Sequence, residues 1–217
     1  MLQNDRADRI SRLLIHGAAG VSGFFVMGIE LLGGRVFAPF FGTSIFVWGA
    51  IISVFMTALA LGYLVGGALS TKRPSIGVLG CMLLAEGVAC LPIVLIGEPV
   101  LEFLSYLIPD ARYGSLIGSA FFFALPAFVS GMVSPYAVRL LTHSVSGAGQ
   151  SAGRLYFMST LGSALGTIIT SFYLVMYLRL DTIIMGLILL VMLLGLTLLM
   201  IARRRKTGEG AICALSS

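Results

Sequence analysis

Long apolar stretches separated by short polar segments run through the whole chain. Each stretch is close to the roughly 20 residues that an α-helix needs to cross about 30 Å of hydrocarbon, at a rise of about 1.5 Å per residue. Residues 1–12 are expected to form a basic amphipathic segment at the membrane surface, residues 98–108 a short interfacial helix, and residues 203–217 a basic tail. The pattern predicts a membrane domain over residues 13–202 with six transmembrane helices, at residues 13–32, 47–69, 76–96, 115–134, 155–177 and 182–202.

The composition supports this pattern and excludes several classes of protein. Of the 217 residues, 58% are apolar and 11% are charged, and the mean hydropathy is +1.03, whereas soluble domains contain about 25% charged residues. This excludes a soluble enzyme, a secreted disulfide scaffold and a nucleic-acid-binding protein. The three cysteines show no metal-ligand spacing, so neither a metal site nor a disulfide is predicted. The predicted fold is an all-α integral membrane protein, a bundle of six transmembrane helices.

The basic residues are distributed unequally between the two sides of this six-span arrangement. Eleven of the 14 lysines and arginines fall on the side of the chain termini, and three fall on the opposite side. Because lysine and arginine are enriched in cytoplasmic loops, this asymmetry predicts a multi-pass protein of the inner membrane with both termini in the cytoplasm. The three exceptions are Arg35, Arg112 and Arg179.

A weak internal repeat divides the chain into two halves of three spans. The motif Leu-Gly-xxx-Gly occurs at residues 61–66 and again at 161–166, and Pro39 after the first span is matched by Pro135 after the fourth. The two offsets, 100 and 96, are nearly equal. An odd number of spans in each half would make the halves inverted, as in many secondary transporters, although small-xxx-small spacings are common in any packed membrane helix. The candidate helix-packing residues are Gly62, Gly66, Gly162 and Gly166.

Several sequence motifs point to one family. They are ELLGGRVFAPFFGTS at residues 30–44, LGYLVGG at 61–67, GMVSP at 131–135 and GRLYFMSTLG at 153–162. Together they resemble the membrane module of membrane-bound spermidine synthase-like proteins, which are also named fused major-facilitator/spermidine synthase proteins. The resemblance covers about residues 30–182, and it implies a polytopic membrane fold.

The chain departs from that family after the membrane module. Full-length members carry a Rossmann-like domain of the aminopropyltransferase type, whereas only eleven residues follow Lys206 here. No glycine-rich loop follows a strand pattern, because Gly66 and Gly67 lie inside a predicted span, so no nucleoside cofactor site is expected. Aminopropyl transfer is therefore not carried over to this chain, and no cofactor, catalytic residue or enzymatic activity is predicted.

Glu86 is the first candidate for a functional side chain. It lies ten residues into the third predicted span, near the middle of the membrane. A charge at that depth costs about 2.5–3.5 kcal/mol on insertion scales, so such residues are functional candidates. Two interpretations remain open: a carboxylate that binds a proton or cation in an internal cavity, or a protonated acid that is hydrogen bonded to a neighbouring helix.

Three further charged residues are candidates for binding a substrate or ion. Glu30 and Arg35 lie at the end of the first span, where they are expected to form either a gate or an ion pair that fixes the turn towards Pro39. Arg154 begins the fifth span, where it is expected either to bind an anionic group or to extend to the membrane surface.

Two functional hypotheses follow for a protein embedded in the lipid bilayer. The first is binding or transport of a small solute, which the family resemblance suggests is polyamine-like, and half-size carriers of this kind are expected to form homodimers. The second is a non-catalytic membrane subunit that anchors or scaffolds a membrane or soluble partner, such as a separately encoded aminopropyltransferase-like enzyme. An intramembrane enzyme is disfavoured because neither a nucleophile–base pair nor a zinc motif is evident.

Overall fold

A computed structural model describes the backbone of residues 2–71, 74–142 and 147–215, and the side chains within residues 9–71, 74–142 and 147–204. In these ranges six helices are long and apolar enough to cross a membrane, so the all-α six-helix bundle predicted from hydropathy is confirmed. They are α1 (Leu2–Phe41), α2 (Ile45–Ser70), α3 (Ile76–Leu107), α4 (Ala111–Leu141), α5 (Ala148–Tyr177) and α6 (Leu180–Leu215). Within α5, residues Thr170–Leu174 form one π-helical turn.

Several helices extend beyond the apolar stretches. α1 begins at Leu2, and α6 runs to Leu215, so the expected surface segment and tail are continuous with the first and last helices. The segment 98–108 was expected as a separate interfacial helix, but residues 98–107 form the last turns of α3 and Ile108 caps its end. Polar residues at a helix end leave the backbone hydrogen bonds intact, so hydropathy locates the apolar part of a helix rather than its ends.

Two local sequence signals determine where helices end and begin on the side of the bundle opposite the chain termini. Gly42 adopts the left-handed region, with φ of 77°, and its N–H donates to the Ala38 carbonyl at 3.0 Å, which ends α1. The Asp110 carboxylate accepts a hydrogen bond of 2.9 Å from the Arg112 N–H and caps the start of α4.

The helices pack in three main pairs. α2 lies against α4, α5 against α1, and α3 against α6, while α3 and α1 both also contact α4. Close backbone contact holds α2 to α4: a Cβ on Gly62 would fall against the carbonyl oxygen of Phe128, and one on Gly66 would lie 2.5 Å from Met132 Cα. Only glycine permits this approach of the two backbones.

The α5–α1 pair repeats this arrangement. A Cβ on Gly162 would fall against the carbonyl oxygen of Gly20, and one on Gly166 would lie 2.5 Å from the carbonyl oxygen of Phe24. In both pairs the contacting residue numbers rise together along the two helices, so each pair is parallel. The structure thus places all four glycines of the Leu-Gly-xxx-Gly repeat at equivalent helix contacts.

These contacts also give the register that relates the two halves. Positions 62 and 66 in α2 correspond to 162 and 166 in α5, and positions 20 and 24 in α1 correspond to 128 and 132 in α4. α1 and α4 are antiparallel, because Gly33 faces Phe123 while Phe37 faces Gly118. The halves α1–α3 and α4–α6 are therefore related by inversion, and both pairs of positions give the same offset between α1 and α4.

The sequence-based pairing of Pro39 with Pro135 does not agree with this register. When α4 is aligned on α1 by the helix contacts, Pro135 corresponds to Met27, in the middle of α1. The counterpart of Pro39 is Gly147, which lies outside α4. The two prolines sit near helix ends for local reasons, and helix contacts rather than proline positions define the repeat.

Candidate functional site

Three polar side chains from three helices meet in the interior of the bundle. Glu86 of α3 is 0% exposed, and Ser22 of α1 and Ser130 of α4 are buried with it. The Ser22 hydroxyl donates to the Glu86 carboxyl group, with Oγ at 3.0 Å from Oε1 and 3.1 Å from Oε2. Ser22 Oγ also lies 2.7 Å from Ser130 Oγ. We call these three residues the central polar cluster.

The two serines occupy equivalent positions in the two halves. Ser22 and Ser130 are 108 residues apart in the sequence. The helix contacts that relate α1 to α4 give this same offset, since position 20 corresponds to 128 and position 24 to 132. The two hydroxyls therefore meet where the axis that relates the halves passes between these helices. Glu86 is bonded at this point, so one carboxyl group from the first half joins the two symmetry-related helices.

Each member of the cluster is followed by a glycine that faces another helix. A Cβ on Gly23 would lie 2.9 Å from Ser163 Oγ, one on Gly131 2.5 Å from the Leu59 carbonyl oxygen, and one on Gly87 2.6 Å from Met192 Cγ. Adjacent residues on an α-helix point about 100° apart. A polar residue followed by glycine therefore turns its polar side chain towards the centre while the next helix packs against the glycine.

Among the described residues, Glu86 forms no ion pair. The Arg179–Asp181 ion pair, at 3.7 Å, lies far from it, between exposed side chains of the α5–α6 connection. Cys90, one turn from Glu86 on α3, is buried. Because polar groups in hydrocarbon are costly unless they are hydrogen bonded, the two serines are the stabilising partners that the fold provides for the carboxyl group.

The other charged candidates lie away from this cluster. Glu30 is half-buried on α1, about 12 Å beyond Ser22 at about 1.5 Å per residue, and Arg35 is exposed. The ion pair expected between them is absent from the described contacts, because residues five apart on a helix point in different directions. Arg154 is exposed at the start of α5.

Ser22 and Ser130 were not predicted from the sequence. Single serines in a membrane helix carry little signal, and the pairing of Pro39 with Pro135 gave the wrong offset for α1 and α4. The signal that both share is the triplet Val-Ser-Gly, at residues 21–23 and 129–131. The same triplet also occurs at residues 145–147, but there it lies between two predicted spans, so the triplet and its place inside a span are both needed to find the two serines.

The chemistry available at the cluster is that of one carboxyl group and two hydroxyls. These groups can bind and release a proton or hold a small cation. No group of three or more potential metal ligands occurs among the described residues. Comparisons with protein-family models, with curated proteins and with solved structures give no match to this chain.

Proposed function

We propose that this protein is a carrier of small solutes, that its two inverted halves provide alternating access, and that Glu86 lies at the functional centre. The observation that carries the proposal is a buried carboxyl group hydrogen bonded where equivalent helices of the two halves meet. In transporters built from inverted repeats, substrate and coupling-ion sites lie near the membrane midplane at the repeat interface. An ionisable residue at this depth is costly and marks ion or substrate pathways.

The proposed solute is a small cation of the polyamine type. The resemblance to the spermidine synthase-like membrane module suggests this class, and the negative charge that Glu86 carries when ionised suits a cationic solute. The cluster is closed to solvent in this conformation, so the solute reaches it after the halves have moved relative to one another. We further propose that the protein works as a homodimer, since six helices are half the size of a major-facilitator carrier.

Uptake into liposomes tests the proposal directly. We expect the purified full chain in liposomes to accumulate radiolabelled spermidine, and Glu86→Gln to reduce the initial rate at least about tenfold, because it removes the ionisable group and keeps the size. The matched control is Glu102→Gln, which alters an exposed carboxylate on the same helix. Equal uptake by wild type and Glu86→Gln would contradict the proposed role of Glu86.

We also propose that the termini face the cytoplasm. Eleven basic residues are predicted on the side of the termini. The structure describes the side chains of six of them, and all six are exposed. The exposed residues are Arg9, Arg12, Arg139, Arg154, Arg203 and Arg204. The others are Arg6, Lys72, Arg73, Arg205 and Lys206. This arrangement follows the positive-inside rule.

Labelling of single cysteines in intact cells tests the orientation. In a variant without the native cysteines, we expect Ser44→Cys, in the exposed α1–α2 connection, to react with an impermeant maleimide. Ser75→Cys, exposed at the opposite end of the bundle, should react only after the cells are permeabilised. The reverse pattern would require the opposite orientation.

A second candidate function, a membrane subunit for another protein, has one observation in its favour. Only 11% of the most apolar window of α5 is buried inside the bundle, compared with 33–50% for the other five helices. This leaves α5 a broad face on which a partner helix could pack. Purification in mild detergent followed by mass spectrometry distinguishes the hypotheses: a stoichiometric partner, together with absent spermidine uptake, favours the subunit.

A further inference from the structure

We infer that the central polar cluster is a proton-binding relay, in which Glu86 takes up the proton and Ser22 connects it to Ser130, and that the proton is the coupling ion of the carrier. The coupling part of this inference rests on the proposed function. The relay itself rests on the geometry of the cluster and stands or fails independently of solute transport.

The distances within the cluster suit a proton rather than a metal cation. The oxygen–oxygen separations of 2.7, 3.0 and 3.1 Å are those of direct hydrogen bonds. A dehydrated alkali cation needs protein oxygens to replace its hydration shell. The three side chains offer four oxygens, and these are already in contact with one another. A proton can be added to this cluster without displacing any of them.

The hydrogen-bond chain from Glu86 through Ser22 to Ser130 has two opposite directions, one for each state of Glu86. A serine hydroxyl carries one hydrogen. When Glu86 is ionised, Ser22 donates to the carboxylate and accepts from Ser130. When a proton binds to a carboxylate oxygen, the new O–H donates to Ser22, and Ser22 donates to Ser130. Release to water restores the first orientation, so one proton enters and leaves while both serines are unchanged.

Through this reversal, protonation of Glu86 in the first half changes a hydrogen bond that reaches into the second half. Glu86 and Ser22 belong to the first half, and Ser130 belongs to the second, so the bond between the serines crosses the interface. The direction of that bond changes with each proton that binds. Protonation therefore acts on the contact that must rearrange when the halves move.

Other ionisable groups near the cluster are few. On α1, His16 is bonded through Nδ1 to its own helix at the Arg12 carbonyl, 2.7 Å away, and Glu30 lies about two turns beyond Ser22. On α3 the nearest is the Cys90 thiol. α4 has no ionisable side chain between Tyr113 and Tyr136, and α6 has none between Asp181 and Arg203. A proton-dependent change within the cluster is therefore assigned to Glu86.

Infrared difference spectroscopy tests the relay without any solute. Spectra of the full chain in lipid are recorded at pH values from about 5 to about 9, on both sides of neutral pH. We expect the carbonyl stretch of a protonated carboxylic acid to appear at low pH and to be lost in Glu86→Gln. Ser22→Ala should shift the band, because it removes the hydrogen-bond partner of the carboxyl group. Ser119→Ala is the matched control and should leave the band unchanged, since Ser119 Oγ on α4 is buried and finds no hydrogen-bond partner among the described residues.

The outcomes separate the relay from the carrier. A band that persists in Glu86→Gln, or one that does not change with pH in wild type, would overturn the relay. If the band behaves as expected but the liposomes take up no spermidine, the relay stands and the proposed solute is wrong.

Uptake driven by a pH gradient tests the coupling. With the membrane potential clamped, a gradient of one pH unit corresponds to about 1.4 kcal/mol per proton. We therefore expect up to about a tenfold change in spermidine accumulation in wild type and none in Glu86→Gln. Uptake that responds to a sodium gradient and not to pH would overturn the proton as the coupling ion.

Discussion

Replacing Gly162 with leucine should prevent the bundle from assembling. The new Cβ would fall against the carbonyl oxygen of Gly20 and lie 2.7 Å and 2.8 Å from its carbonyl carbon and Cα. These are backbone atoms, which cannot rotate away, so α5 would have to separate from α1 along their whole contact. The loss of stability should exceed the value of about 1–3 kcal/mol that is typical when an oversized side chain is placed in a packed core. We expect no monodisperse species in size-exclusion chromatography of the detergent-solubilised variant.

Glycines without close neighbours on the same helices provide the controls. No atom of the described residues lies within 4 Å of a Cβ built on Gly153 of α5 or on Gly67 of α2. Gly153→Leu and Gly67→Leu should therefore unfold at temperatures close to wild type, while Gly62→Leu should resemble Gly162→Leu. Equal behaviour of Gly162→Leu and Gly153→Leu would contradict the tight α5–α1 contact.

The sequence predicted the bundle and its packing glycines because each has a direct physical signature. An apolar stretch of about 20 residues has few alternatives to a membrane helix, and glycines four residues apart mark a close helix contact. The partner of each glycine motif could not be predicted. Gly62 contacts Phe128 of α4, which is distant in the sequence, and the hydropathy of α4 is the same whichever helix it meets.

The cluster was harder to predict because the repeat has no constant offset. Beyond Ser22, α1 continues for about five turns to Phe41, whereas beyond Ser130, α4 continues for only about three turns to Leu141. Because the first helix is longer in the first half than in the second, the offset is larger between α1 and α4 than between α2 and α5. A single offset aligns either the glycine motifs of α2 and α5 or the Val-Ser-Gly triplets of α1 and α4, but never both together.

Glu86 was predicted as a candidate from its depth alone, and the sequence did not indicate its hydrogen-bond partners. Glu30 and Arg35 drew attention for the same reason, yet they lie on different faces of α1 and do not reach the cluster. Only packing of three helices distinguishes a carboxyl group with hydroxyl partners from one that faces lipid or water. That information lies in contacts between α1, α3 and α4, which are distant in sequence.

Glu86→Leu should destabilise the protein by about 1–3 kcal/mol, the cost of leaving a buried hydrogen-bonding group without its partner. Leucine is apolar and of similar size, but it leaves the Ser22 hydroxyl facing a side chain that cannot accept its hydrogen. Glu86→Gln retains a carbonyl oxygen as acceptor and should be nearly neutral. Thermal unfolding in detergent at fixed pH measures both variants, and equal unfolding temperatures for Leu and Gln would contradict the hydrogen bonds described here.

A second substitution distinguishes lost hydrogen bonding from poor packing of the leucine. Removing both partners of a buried hydrogen bond can be nearly neutral, whereas removing one leaves the other unsatisfied. Ser22→Ala combined with Glu86→Leu should therefore be more stable than Glu86→Leu alone, by roughly the 0.6–2 kcal/mol of a hydrogen bond between membrane helices. If the loss came from packing, Ser22→Ala would add a small cavity and lower stability further. The sign of this difference therefore decides whether the carboxyl group or the volume of residue 86 holds the three helices together.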